Sequence, residues 1–332
     1  MIHALARFSA SLISLLTQHY LLQATQTNKL TSRKRAEDST HLYRYHRVEL
    51  WLMLAPFLIG ILLLIGLPMI FTIALAFMEF DALSAPVWRG LQNFVDIANR
   101  DLFWIAFRNS ALFIILAVPL RLLGALLIAL LLNQKYRGIQ IYRSAIYLPT
   151  IFPEVAYAFI WMWIFNPLYG PLNKLLELMG LPQFAWLAGQ ETALISIVIM
   201  SLFQIGEGFV LLLAGLQDIP TEYYDSAVVN GANRWQRFRL ITLPMLMPWV
   251  LLLTIRDVLL SAQNTFAPAY LMTNGGPYYA TYFVPLFVFE EAFDRFRFGA
   301  ASATMVVLFL IVGTLLYLIY RLVGGWGYAD DV

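Results

Sequence analysis

Polar side chains interrupt several apolar stretches of this sequence at spacings that place them on single helical faces. Two such sets recur every three or four residues: Thr254, Asp257, Ser261 and Asn264 in one stretch, and Ser201, Gln204 and Glu207 in another. Because a helix has 3.6 residues per turn, each set shares one face. Polar groups inside apolar helices are costly, so they face a cavity or one another. Two interpretations stay open: a hydrogen-bonding ligand site, or hydrogen bonds and ion pairs that join helices.

Catalytic chemistry is not expected from these residues. The chain has no cysteine, and its four histidines, His3, His19, His41 and His46, all precede the first long apolar stretch. Disulfides and thiolate catalysis are therefore excluded, and no histidine spacing is typical of a metal site. The phosphate-binding pattern G-x-x-x-x-G-K-[ST] is also absent from the sequence, so ATP is not expected to bind this chain in that way. The sequence predicts a protein that is not an enzyme and has no cofactor of its own.

The composition is that of an integral membrane protein. Hydrophobic residues make up 60% of the 332 residues and charged residues 13%, whereas a soluble domain has about 25% charged residues. A helix needs about 20 apolar residues to cross a bilayer. Six stretches meet this length: Leu50–Met78, Ala111–Leu132, Ala145–Phe165, Thr192–Leu216, Met245–Gln263 and Ala303–Leu322. They do not alternate as barrel strands would. We predict an all-α fold with six transmembrane helices.

The loop charges predict the orientation of these spans. Most Lys and Arg residues fall in one set of loops: Lys29, Arg33, Lys34, Arg35, Arg44, Arg47, Lys135, Arg137, Arg143, Arg234, Arg237, Arg239 and Arg321. The positive-inside rule places these loops, and both termini, in the cytoplasm. Residues 1–48 are predicted to be a cytoplasmic extension, either with a surface helix or as a dispensable tail. They are not predicted to be a signal peptide, because their basic cluster follows the apolar run. Residues 326–332 are predicted to form a cytoplasmic tail.

The cytoplasmic loop at residues 218–244 is predicted to form two short helices. Thr221 is expected to cap the first helix, with Glu222 and Asp225 near its positive end. Gly231 can end this helix in a left-handed conformation. Asn233, with Gln236 three residues later, predicts a capping box for the second helix.

Three residues of the first short helix, Tyr224, Ala227 and Val228, fall on one face. A small, aromatic and exposed face of this kind suits docking of a protein partner. An interfacial helix lying on lipid would show a similar pattern, so both interpretations stay open on physical grounds.

This loop resembles the signature loop of permease subunits of ABC importers. The family pattern is Glu-Ala-Ala, a Gly six residues after the Glu, and Ile-x-Leu-Pro ten residues beyond the Gly. Here Asp225-Ser226-Ala227, Gly231 and Ile241-Thr242-Leu243-Pro244 stand in register. The departures are Asp225 for Glu, Ser226 for Ala, and Asn230 where Asp is usual.

The resemblance extends over roughly residues 50–322 and points to the carbohydrate-uptake branch of these permeases. Its further marks are Thr273-Asn274-Gly275-Gly276-Pro277, the run Trp161–Asn166 followed by Tyr169, Gly170 and Asn173, and Gly299–Ala303. This branch includes maltose, other oligosaccharide and glycerol-3-phosphate importers. The Gly-Gly-Pro loop is more typical of one member of a heterodimeric permease pair.

The resemblance implies an ABC importer permease fold over residues 49–325, with a cytoplasmic coupling helix within 218–244. It implies a second permease, two ATPase subunits that bind ATP and Mg, an extracytoplasmic solute-binding protein, and a location in the cytoplasmic membrane among lipids. No nucleic-acid partner is implied. The residues implied at the ATPase are Glu222, Tyr224, Asp225, Ala227, Asn230, Gly231, Ala232, Phe238 and Pro244. Those implied at a sugar or polyol substrate are Gln204, Glu207, Asp257, Ser261 and Asn264, with Phe203 or Tyr270 as aromatic platforms.

Two arginines in the spans require partners. Arg256 and Gln263 are expected on another face of the fifth span, with Arg256 paired to Glu207 or to the second permease. Arg121 in the second span needs an acid, and Glu154 is one candidate. Alternatively, both arginines could attract a phosphorylated polyol. An ion-coupled secondary transporter remains a lesser alternative, although such proteins usually show an internal repeat, which this sequence does not show.

Overall fold

The computed structural model describes residues 49–134 and 136–323, which are almost entirely helical. In chain order the helices are α1 (Glu49–Leu75), α2 (Gln92–Ala98), α3 (Asp101–Leu132), α4 (Ile139–Ile151), α5 (Glu154–Ile164), α6 (Pro171–Leu178), α7 (Ala193–Leu202), α8 (Gly206–Asp218), α9 (Thr221–Val229), α10 (Arg234–Thr273), α11 (Val284–Phe289) and α12 (Phe298–Val323). Two short strands, β1 (Met78–Glu79) and β2 (Val87–Trp88), pair antiparallel. The expectations about residues 1–48 and 326–332 fall outside the described residues.

The chain divides into two compact units, residues 1–70 and 71–332. In the first unit, the described residues belong to α1 and include the π-helical stretch Leu62–Gly66. The second unit contains all other described elements. It also has π-helical stretches at Phe238–Thr242 and Ala269–Thr273 within α10, and at Glu290–Asp294 after α11.

Among the described residues, α1, α3, α10 and α12 are long and apolar enough to cross a membrane as single helices. The pairs α4–α5 and α7–α8 reach the required length together, but they bend by 101° and 43° at short breaks. Four single helices and two broken pairs therefore give up to six spans, in agreement with the six predicted stretches. The second span begins at Asp101 rather than near Ala111, because the polar residues before Ala111 continue the same helix.

The break between α4 and α5 has a local cause. Pro153 precedes α5, and a proline drives the residue before it out of the helical region; Phe152 accordingly has ψ 135°. Gly206, the first residue of α8, lies so close to α4 that a Cβ atom there would stand 2.8 Å from Cα of Tyr147. The hydroxyl of Tyr157 donates a 2.8 Å hydrogen bond to the carbonyl of Met200 and so holds α5 against α7.

Helix α3 is central to the second unit, where it packs against α7, α8 and α10. Small residues allow the helices to approach closely, as is common in membrane proteins. Ala125 and Ala129 of α3 are buried in one apolar cluster with Phe209 of α8. Gly215 of α8 faces Trp249 of α10, where a Cβ atom would stand 2.7 Å from the indole ring.

The segment between α10 and α12 is held by buried polar contacts. Glu291 is 0% exposed and forms ion pairs with Arg295 and, at 2.5 Å, with Arg100 just before α3. The hydroxyl of Tyr282 donates a 2.6 Å hydrogen bond to Glu290. Burial, together with this bond, raises the pKa of Tyr282 above its usual range. Its proton is therefore retained, and the contact persists at physiological pH.

Candidate functional site

A cavity of about 310 Å³ lies among α3, the broken pairs α4–α5 and α7–α8, and α10. The side chains predicted to contact substrate all line it: Gln204, Glu207, Asp257, Ser261 and Asn264. Ser201 lines it as well, whereas Thr254 donates a 2.7 Å hydrogen bond to the carbonyl of Val250 on its own helix. Six of the seven residues on the two predicted helical faces therefore line one cavity, and Thr254 is the exception.

Three helix interruptions face this cavity. The break between α4 and α5 contributes Thr150, Phe152 and Glu154 to the lining, and the break between α7 and α8 contributes Ser201, Gln204 and Glu207. A turn within α10 contributes Asn264 and Thr265. Irregular backbone inside a membrane is tolerated where it lines a cavity, and discontinuous helices form the substrate sites of many transporters. This arrangement therefore suits binding of a polar solute.

Arg121 of α3 crosses to α10 at one side of the cavity. Its Nε donates to Oδ2 of Asp257 at 3.0 Å, and its Nη2 contacts the hydroxyl of Ser261. The side chains of Arg121 and Asp257 are only 14% and 16% exposed. The expectation that Glu154 partners Arg121 was wrong, because α3 packs directly on α10 and Asp257 is the nearer acid. Glu154 nevertheless lines the same cavity.

Arg256 forms an ion pair with Glu207, as one of the two predicted alternatives required. These side chains are more open, at 36% and 45% exposed. Arg256 also lines the cavity, although it was expected on another face of α10. The cavity extends around this helix far enough that the consecutive residues Arg256 and Asp257 both reach it. Gln263 is not among the lining residues.

The aromatic side chains of the cavity are not the predicted ones. Phe203 tilts against Trp161, with ring centroids 4.9 Å apart, and Tyr270 stacks on Phe266 at 5.4 Å. Neither lines the cavity, whereas Phe113 and Phe152 do. Spacing could not reveal Phe113 within an apolar helix. For Phe152, the following Pro153 was an available sign of a helix break.

The loop at residues 218–244 forms the two predicted short helices. The first, α9, is capped by Pro220 and not by Thr221, which is already helical and makes no capping hydrogen bond. Pro220 has the extended ψ of 136° that a cap requires. The C-terminal prediction is confirmed: Gly231 has φ +78°, and its N–H donates to the carbonyl of Val228 at 2.9 Å. The N–H of Ala232 donates to Ala227, which completes the usual glycine-based helix end.

The second short helix begins α10 with the predicted capping box. The N–H of Gln236 donates to Oδ1 of Asn233 at 2.8 Å, and the N–H of Asn233 donates to Oε1 of Gln236 at 2.8 Å. Phe238 is half-buried and tilts against Trp235, while Pro244 lies exposed after a π-helical stretch. The loop is thus well ordered by local hydrogen bonds.

The face of α9 that was predicted to be exposed for docking is partly turned inward. Tyr224 and Ala227 are half-buried, and Tyr224 packs against the apolar cluster of α3, α8 and α10. The hydroxyl of Tyr224 lies 2.9 Å from that of Thr242. Outward-facing residues are Glu222, Tyr223, Asp225, Val228, Val229 and Asn230, with Val229 87% exposed.

The other sequence marks lie in structural turns. Asn274 and Gly275 have left-handed backbones, and a Cβ atom at Gly275 would stand 2.7 Å from the ring of Tyr282. The hydroxyl of Thr281 donates to the carbonyl of Gly276 at 2.8 Å. Asn173 bridges its loop through hydrogen bonds with Pro167, Phe184 and Trp186. These motifs shape connections between spans.

The fold is that of the membrane chain of an ABC importer. A chain in the crystal structure of a bacterial alginate ABC transporter, in complex with an alginate pentasaccharide-bound periplasmic protein, superposes with a TM-score of 0.73. The match covers 83% of this chain and 94% of that one at 22% identity.

Residues 122–325 match the family described as the inner membrane component of binding-protein-dependent transport systems. The probable ABC transporter permease protein YesP of Bacillus subtilis is 37% identical over 278 residues, covering 82% of this chain and 89% of YesP. The trehalose/maltose transport system permease protein MalF of Thermococcus litoralis is 30% identical, covering 82% and 93%. The chain therefore belongs to this family and is a multi-pass permease subunit of a binding-protein-dependent ABC importer.

Proposed function

We propose that this permease translocates a neutral sugar or polyol through the cavity among α3, α4–α5, α7–α8 and α10 by alternating access. The observation that carries the proposal is that all five predicted contact residues line one cavity at three helix interruptions. Side chains with amide, hydroxyl and carboxylate groups suit a ligand rich in hydroxyls, since hydroxyls both donate and accept hydrogen bonds. The aromatic rings of Phe113 and Phe152 add apolar surface of the kind that packs against a sugar ring.

The names of relatives support a sugar. MalF of Thermococcus litoralis is a trehalose/maltose permease, and LacF of Rhizobium radiobacter, 30% identical over 285 residues, is a lactose permease. A phosphorylated polyol is less well supported, because both arginines of the cavity already have carboxylate partners in this chain.

Residues 218–244 couple the cavity to ATP hydrolysis in partner subunits. The outward face of α9 supplies the contact, with Glu222, Asp225, Asn230 and Val228 among its residues. Tyr224 and Ala227 act from the inward face, where they hold α9 to the transmembrane helices. Gly231 and Ala232 close α9, and Phe238 and Pro244 lead into α10. Because α10 runs from this loop to the cavity, movement of α9 tilts the helix that carries Asp257, Ser261 and Asn264.

The assembly contains a second, different permease, two ATPase subunits and an extracytoplasmic solute-binding protein. Both termini lie in the cytoplasm, residues 1–48 and 326–332 flank the permease domain at 49–325, and the loop at 218–244 faces the ATPases. The loop charges support this orientation.

Purification of the tagged protein in mild detergent, followed by identification of the associated chains, tests the assembly. A second permease and an ATPase with a phosphate-binding loop are expected. Uptake of labelled neutral oligosaccharides into cells then tests the substrate, with an ATPase variant lacking its phosphate-loop lysine as the control. Uptake that persists in that control, or a purified protein without any ATPase, would support an ion-coupled transporter instead.

A further inference from the structure

Every cationic group that lines the cavity already has an anionic partner from this chain. Arg121 is paired with Asp257, and Arg256 with Glu207. The cavity holds two arginines and three carboxylates, so the third, Glu154, is left over. Within the described residues, the Glu154 side chain makes no ion pair or hydrogen bond, and it is exposed. The formal charge of the lining is therefore −1.

The helix ends at the cavity are compensated in the same way. A helix N-terminus carries a partial positive charge that attracts anions. Two helices begin at the cavity, α5 at Glu154 and α8 at Gly206, and each has a glutamate in its first turn, Glu154 and Glu207. In many transporters such half-helix N-termini hold an anionic substrate group. Here the protein supplies the carboxylates itself, which leaves no free positive site for a ligand.

The cavity also contains an unsatisfied neutral group. The hydroxyl of Thr265 is buried without a hydrogen-bond partner in the described chain, and the residue is 1% exposed. Buried polar groups normally have partners, so such an exception requires an explanation. Thr265 lies beside Asn264 in the turn of α10 that lines the cavity.

We propose that the cavity is a charge filter that admits neutral or cationic saccharides and excludes anionic ones, with Glu154 as the residue that imposes the exclusion. This inference rests on the proposed sugar-transport function and specifies its substrate class. The 101° bend between α4 and α5 is what places Glu154 in the cavity. An acidic sugar entering would meet a carboxylate that has no ion-pair partner in the described chain, and it could bind an arginine only by displacing Asp257 or Glu207.

The absence of cysteine from this chain permits a test that needs no knowledge of the sugar. Asn264→Cys places a thiol in the cavity of the purified complex. The complex with the unsubstituted chain is the control, since any labelling there comes from partner subunits. Rates of modification are compared for two reagents of similar size, cationic trimethylammonium-ethyl methanethiosulfonate and anionic sulfonatoethyl methanethiosulfonate. The ratio of the two rates is divided by the same ratio for free 2-mercaptoethanol, which removes the intrinsic preference of thiolates for cations.

The normalised ratio is expected to favour the cation, and Glu154→Gln is expected to lower it by up to about tenfold, because a unit charge a few ångströms away changes the local concentration of a charged reagent. Glu191→Gln, which removes an exposed acid that does not line the cavity, leaves the ratio unchanged. A ratio that favours the anion, or that Glu154→Gln does not alter, would overturn the filter.

A second reporter, Gln204→Cys, covers the case in which Asn264→Cys disturbs assembly. If neither thiol reacts with either reagent, the cavity does not admit water-borne solutes and the proposal fails. The proposed sugar transport is tested separately by uptake. Loss of the charge preference with intact uptake of neutral sugar rejects only the filter, whereas a charge preference without sugar uptake rejects only the transport function.

Discussion

The hydroxyl of Tyr224 in α9 lies 2.9 Å from the hydroxyl of Thr242 in the π-helical stretch of α10. Thr242 is buried, and Tyr224 is half-buried against the apolar cluster that α8 and α10 share. This contact links the short helix proposed to meet the ATPase with the helix that carries three of the five predicted substrate contacts. It therefore joins α9 directly to the helix that lines the cavity.

Removal of this connection should weaken coupling more than folding. Tyr224→Phe keeps the ring packing and deletes only the hydroxyl, and a typical hydrogen bond contributes about 1 kcal/mol to stability. We expect a lower amount of sugar transported per ATP hydrolysed by the complex in proteoliposomes. Tyr223→Phe is the matched control, because Tyr223 is 53% exposed and its hydroxyl makes no hydrogen bond in the described structure. An unchanged transport-to-hydrolysis ratio in Tyr224→Phe would remove the connection from the mechanism.

Gly231 offers a second test of the loop. Its φ of +78° disfavours any β-branched residue, with a cost of about 1–2 kcal/mol. Gly231→Val should disturb the end of α9, so that ATP hydrolysis continues without transport while the protein still reaches the membrane. Gly180→Val carries the same kind of strain at φ +70°, outside the loop, and should leave coupling intact. Transport by Gly231→Val at the level of Gly180→Val would count against the coupling role.

Structure that depends on interactions between neighbouring residues was predicted well from the sequence. The capping box of Asn233 and Gln236 and the left-handed Gly231 depend only on residues within one turn, and both are present. Thr221 was misplaced by one residue, since Pro220 and Thr221 are both compatible with a helix start. The positions of the apolar spans were also predictable, because the bilayer requires a fixed apolar length.

Contacts between spans were predicted less well. The partner of Arg121 depends on which helix packs against α3, and sequence spacing carries no information on that packing. Glu154 was therefore considered as an ion-pair partner, although it lies unpaired in the cavity wall. Phe113 was missed for the same reason, since one more aromatic residue in an apolar helix has no distinguishing pattern.

Removing one partner of the ion pair between Arg121 and Asp257 should destabilise the protein more than removing both partners. Arg121→Met leaves Asp257 without its cation in a site where both side chains are largely buried. Removing one partner of a buried pair commonly costs about 3–5 kcal/mol, whereas replacing both can be nearly neutral. We expect a lower midpoint of thermal unfolding in detergent for Arg121→Met, with substantial recovery in the double variant Arg121→Met/Asp257→Asn. Equal loss in the single and double variants would show that the two side chains act independently.

Asn264 provides the sharpest test of the substrate cavity. Asn264→Leu keeps a similar volume and removes an amide that can donate and accept hydrogen bonds, so it should lower the kcat/KM of sugar uptake by about tenfold or more without loss of assembly. Gln263→Leu changes the neighbouring residue, which is exposed but does not line the cavity, and should preserve uptake. The measurement is the concentration dependence of labelled sugar uptake by complexes that co-purify equally well. If the two variants behave alike, Asn264 serves helix packing rather than binding, and the contact set would have to be sought among the remaining lining residues.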